Sequence, residues 1–100
     1  MHDKELLDEL KKMTILYVED EIDVQTALTS IIKRRNDNLI LATDGQDGYE
    51  KYIEHLPDLI ITDIKMPIMD GLEMSKKIRE HSKIVPIIIT TAFNNTDFLL

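Results

Sequence analysis

One hundred residues, 43% of them apolar, suffice for a single domain that buries somewhat over ~60% of its unfolded surface, and that apolar share excludes disorder. Twelve Lys and Arg against nineteen Asp and Glu leave a net charge of −7, which argues against a chain that clamps nucleic acid or an anionic membrane surface. Cysteine is absent, so disulfides, thiolate nucleophiles and Cys-ligated zinc are excluded.

Residues 4–13 carry Leu6, Leu10 and Met13 at helical spacing with Leu7 beside them, which predicts a short amphipathic lead-in helix within residues 1–13. A cap over the core suits it better than a functional peptide. Residues 14–18 form a β-rich run that stops at Glu19, Asp20 and Glu21. Val24, Ala27, Leu28, Ile31 and Ile32 then follow the helical i, i+3, i+4 template. Lys33, Arg34 and Arg35 are placed to oppose the negative end of that helix, and residues 36–38 end it. Residues 39–42 read as a second strand. Asp44 with Asp47 is a capping pair for a helix whose stripe is Tyr49, Tyr52, Ile53 and Leu56, closed by Pro57. Residues 59–62 are a third strand ending at Asp63. Pro67 holds Met66 extended, so regular helix resumes only after Asp70, a cap with Glu73 three positions on. Residues 84–90 predict a fourth strand, and a fourth helix begins near Thr96. The longest apolar runs, such as residues 85–89, fall far short of the ~20 residues of a bilayer crossing. The polar start lacks the basic character of a signal peptide, so a cytoplasmic location is expected.

Strands alternating with helices define βαβ units, and continuously apolar strands define a parallel sheet covered on both faces. In such a doubly wound α/β fold the functional groove lies beyond the carboxyl ends of the strands. Glu19 and Asp20 end the first strand, Asp63 the third, and Thr90 and Thr91 the fourth. If the first and third strands are neighbours, three carboxylates converge and raise one another's pKa values. A hard divalent cation relieves that conflict, and Mg2+ takes such oxygen ligands. His2, His55 and His81 lie away from this edge, which disfavours zinc or copper. A carboxylate beside Mg2+ is suited to attack phosphorus and form an acyl phosphate, and a Thr91 hydroxyl can bond a phosphoryl oxygen. A single Asp before a helix is usually a cap, as at Asp44 and Asp70; the set on two strand ends is not explained that way.

Three segments resemble the receiver domain of two-component response regulators. They are Ile15-Leu16-Tyr17-Val18-Glu19-Asp20-Glu21, Asp58-Leu59-Ile60-Ile61-Thr62-Asp63-Ile64-Lys65-Met66-Pro67-Ile68-Met69-Asp70-Gly71, and Pro86-Ile87-Ile88-Ile89-Thr90-Thr91-Ala92. The resemblance runs almost continuously over residues 14–100. It implies a flavodoxin- or CheY-like strand order, 2-1-3-4-5. It further implies that Asp63 is the phosphoacceptor for a sensor histidine kinase. Asp20 would ligate Mg2+ directly, Glu19 through water, and Lys65 through its backbone carbonyl. Thr91 matches the switch hydroxyl and Ala92 the small residue beside it, while Pro67 and Gly71 shape the acceptor's surroundings. The Lys65 side chain itself is expected in solvent, and Tyr17, Tyr49 and Tyr52 are expected to pack.

The chain departs from that family pattern at its end. The order expected here is 2-1-3-4, with the fifth strand, its phosphoryl-pairing lysine, its aromatic switch residue and the last helix missing. Lys83 precedes the fourth strand and cannot replace the lysine. The fourth strand would then be an apolar edge that pairs with a second copy or exchanges elements with it, and phosphotransfer would be weakened. The expected function is a phosphoacceptor switch that is not an enzyme in its own right beyond self-phosphorylation and self-dephosphorylation. The alternatives are a dimerising or sequestering module without phosphotransfer, and a Mg2+-dependent phosphatase, for which no general acid or substrate pocket is visible.

Overall fold

A computed structural model describes residues 2–90. Its elements in chain order are α1 (His2–Lys12), β1 (Thr14–Val18), α2 (Ile22–Ile32), β2 (Asn38–Ala42), α3 (Gly45–His55), β3 (Leu59–Asp63), α4 (Gly71–Arg79) and β4 (Ile87–Thr90). Thr91, Ala92 and the helix expected near Thr96 lie outside the described residues.

The four strands form one parallel sheet in the order β2-β1-β3-β4, as the apolar strands and helical crossovers require. β1 and β3 are therefore the central pair, with Val18 opposite Thr62. Leu16, Val18, Ala42 and Ile60 bury one sheet face against Tyr52 of α3 and Met74 and Ile78 of α4. The chain moves in opposite directions across the sheet after β1 and after β2, so right-handed crossovers put α2 on the other face. Ile15 and Tyr17 are buried there.

Helix ends follow local chemistry. The carboxylate of Asp44 accepts from the Asp47 N–H, and that of Asp70 from the Glu73 N–H, each satisfying a first-turn donor that has no intrahelical partner. α3 closes through Leu56, whose left-handed backbone (φ 46°, ψ 61°) lets its N–H reach the Tyr52 carbonyl. α1 is fixed at its carboxyl end by the buried Asn36, whose Nδ2 donates to the Leu10 and Met13 carbonyls at 2.7 Å. Lys33, Arg34 and Arg35 do not lie in the last turn of α2. They follow it in a tight turn whose N–H groups reach back to carbonyls of Thr29, Ile31 and Ile32.

The fourth strand begins at Ile87 rather than at residue 84. Pro86 has no N–H for a ladder. The Ser82 hydroxyl accepts from the N–H groups of Ile84 and Val85, and Arg79 Nη1 donates to the Val85 carbonyl at 2.6 Å. Those backbone groups are thus withdrawn from the sheet, and only the Pro86 carbonyl joins it, accepting from the Ile60 N–H. β4 edges the described sheet, with Ile88 50% and Ile89 40% exposed, the exposure from which strand-four association was expected. No helix among the described residues is long and apolar enough to cross a membrane.

Candidate functional site: an acidic cluster at the carboxyl edge

The central pairing of β1 and β3 delivers the carboxylates to one place. Glu19 and Asp20 leave the end of β1 as Asp63 ends β3, and each offers an oxygen within 4.8 Å of the others. Glu19 is buried at 3% exposure, Asp63 is half-buried and Asp20 is exposed. The cluster therefore grades from interior to solvent. Three carboxylates with no imidazole or thiolate among them form the oxygen-only donor set that a hard cation such as Mg2+ takes.

Burial pushes the Glu19 carboxyl up to about 7, and the nearby charges of Asp63 and Asp20 add to the shift against the opposing Glu21 N–H bond. That N–H donates to Glu19 Oε2 at 3.1 Å. Crowding of like charge around a desolvated carboxylate is a conflict that a bound cation removes.

Asp63 is oriented from its own backbone. Its Oδ1 accepts the Ile64 N–H at 2.7 Å, and Oδ2 accepts no hydrogen bond from the described residues. Thr62 faces the opposite, fully buried side, where its hydroxyl donates to the Asp63 carbonyl. Thr90 stands opposite Asp63 in register and donates its hydroxyl to the Thr62 carbonyl at 3.3 Å. That bond commits Thr90 to the sheet. Lys65 lies in the loop after Asp63 with its side chain exposed, as expected.

Two neighbours of the cluster, and one residue that contacts the loop after Asp63, are not apparent from sequence. Tyr17 is fully buried, its hydroxyl has no partner among the described residues, and burial together with the Glu19 and Asp63 charges pushes its pKa up to about 12. Gln25 is buried on α2, and its Nε2 donates to the carbonyls of Glu19 and Ala42 at 3.1 Å, tying the ends of β1 and β2 together. Its only sequence signal is a polar residue bordering the apolar stripe Val24, Ala27, Leu28. Gly45 begins α3, and its N–H donates to the Met69 carbonyl at 2.9 Å.

A parallel sheet in this order with an acidic cluster at the carboxyl ends of its central strands is the arrangement that the resemblance to response-regulator receiver domains implies. The family model for the response regulator receiver domain matches residues 15–100, and the chain belongs to that family. The response regulator ArlR of Staphylococcus aureus is 43% identical over 82 residues, which cover 82% of this chain and 37% of ArlR. The chain thus spans little more than a third of the curated relatives it matches. The N-terminal domain of an uncharacterized protein from Wolinella succinogenes superposes with a TM-score of 0.77 at 35% identity, covering 88% of this chain and 71% of that one. The CheX–CheY–BeF3–Mg2+ complex from Borrelia burgdorferi gives 0.76 at 28% identity, covering 86% and 66%.

Proposed function

We propose that this receiver domain takes a phosphoryl group on Asp63 from a sensor histidine kinase, with Mg2+ held by Glu19, Asp20, Asp63 and the Lys65 backbone carbonyl. The observation that carries the reading is the convergence of three carboxylates within 4.8 Å at the ends of the two central strands. A similar protein's structure is described as a complex with BeF3 and Mg2+, which supports the same chemistry here.

When bound, the cation neutralises charge developing on the phosphoryl oxygens. The chain's own residues do the rest. The Ile64 N–H holds Oδ1 of Asp63 and leaves Oδ2 to attack. A new O–P bond forms as the P–N bond to the donor imidazole breaks. The departing nitrogen keeps the bonding pair and takes a proton from solvent. Burial of Glu19 keeps bulk water from one side of the cluster. Thr91 follows Thr90, the register partner of Asp63, and is the hydroxyl assigned to meet the phosphoryl group. The charge change on Asp63 then biases a two-state surface.

The test is phosphorylation of the protein by a small acyl-phosphate donor with Mg2+, read by intact mass. One phosphoryl group should add, and the adduct should disappear in Asp63→Asn and in excess chelator. No adduct in the full-length protein under saturating donor and Mg2+ would reject the reading.

A further inference from the structure

The loop over residues 64–70, between β3 and α4, runs directly from Asp63 and contains Lys65. It holds an unusual local conformation. Ile68 has a left-handed backbone at φ 72°, and across it the Met69 N–H donates to the Pro67 carbonyl at 2.7 Å. This three-residue turn with positive φ is rare even for small residues, and a β-branched side chain makes it an outlier. Ile68 is 80% exposed, so packing of its side chain does not hold the turn. Such conformations persist only where the surroundings over-determine them.

The surroundings here are backbone contacts made at two glycines. The Gly71 N–H donates to the Ile64 carbonyl at 2.7 Å, closing the loop on itself, and a Cβ at Gly71 would overlap the Asp63 carbonyl oxygen. The Gly45 N–H, one of the first-turn donors of α3 that has no intrahelical partner, instead donates to the Met69 carbonyl at 2.9 Å. A Cβ at Gly45 would overlap that same carbonyl oxygen and come to 3.0 Å of the Asp70 carbonyl oxygen. The opposing groups are backbone, so they cannot yield by rotating a side chain.

We propose that Gly45 is a positioning residue for the acidic cluster: by lacking a Cβ it lets the Met69 carbonyl dock on the start of α3, which locks the strained turn and so fixes the loop carrying Lys65 next to Asp63. The inference rests on the proposed Mg2+-dependent phosphoacceptor reading. It extends control of the cluster to a helix that contributes no ligand.

Mg2+ binding to the wild-type chain and to Gly45→Ala, measured calorimetrically well below either unfolding midpoint, tests it. Gly45→Ala should bind Mg2+ roughly tenfold or more weakly, the loss usual when support behind a ligand set is removed. Adding Ile68→Gly to that variant, which lets the loop find another path around the new methyl, should recover much of the affinity. A merely structural role for Gly45 would lower the midpoint, leave affinity intact and show no such rescue. Linkage also requires that Mg2+ protect the contact it depends on. In the wild-type protein, saturating Mg2+ should therefore slow hydrogen exchange at the Gly45 N–H and leave the remote Leu56 N–H unchanged, a measurement that survives even if Gly45→Ala does not fold. Wild-type affinity in a folded Gly45→Ala, or Gly45 exchange indifferent to Mg2+, would overturn the inference alone. Failure of the wild-type chain to bind Mg2+ would overturn the phosphoacceptor reading with it.

Discussion

Replacing Glu19 by Gln should abolish a pH trend that the native protein carries. The folded carboxyl titrates at about 7 against an ordinary 4.5, chiefly because it is buried. The native state therefore binds more protons than the unfolded chain between pH 4.5 and about 7, and stability falls as pH rises through that window. Each unit of difference corresponds to about 1.4 kcal/mol, so the full span amounts to roughly 3 kcal/mol of stability present at acidic pH and lost by neutrality. Urea denaturation in chelator, followed by circular dichroism at several pH values across the window, measures it directly. Glu19→Gln removes the titrating group while keeping its shape, so its stability should stay level over the same range and exceed wild type above pH 7. Asp47, held low by Lys51 and Thr43 against its own desolvation, acts in the opposite sense at lower pH, where its stabilisation is lost on acidification. A wild-type stability that is flat or rising over the Glu19 window, or a Glu19→Gln variant that keeps the slope, would refute the reasoning.

Three further outcomes follow from contacts described above. Asn36→Ala leaves the Leu10 and Met13 carbonyls without their buried donor and should cost about 1–3 kcal/mol, with faster hydrogen exchange confined to α1. Gln25→Ala strips the donor from the Glu19 and Ala42 carbonyls and should cost a similar ~1–3 kcal/mol in denaturant unfolding. Leu56→Gly should raise the melting temperature by relieving a left-handed residue whose side chain is 66% exposed, a gain of up to about 1 kcal/mol.

Much of this architecture is legible in the chain because its signals are local. The runs at residues 14–18 and 59–63 are apolar until they meet carboxylates, and Asp44 and Asp70 announce the helices they cap. What escapes the sequence depends on which side chains and backbone groups meet once the chain has folded. Residues 84–86 look like strand, yet Arg79 and Ser82 claim their backbone groups. Gln25 looks like one more residue on a polar helix face until the ends of β1 and β2 close over it. Gly45 looks like a companion to the Asp44 cap; its significance is the Met69 carbonyl that lies where a side chain would be. Glu19 could be assigned to the cluster from its place after β1, whereas its raised pKa needed the depth of its burial.

The pairing of Val18 with Thr62 joins parts of the chain separated by a helix, a strand and another helix. Such non-local contacts form only after a large loss of chain entropy. The carboxylates of Glu19 and Asp63 therefore repel one another only in species where that pairing exists, and the unfolded ensemble is spared the conflict. Folding is thus asked to assemble its least comfortable charges together with its central strands. Under the proposed Mg2+ reading, a cation that binds the assembled cluster and not the open chain would slow escape from the native basin, and the lifetime of the folded protein would become a function of free divalent ion.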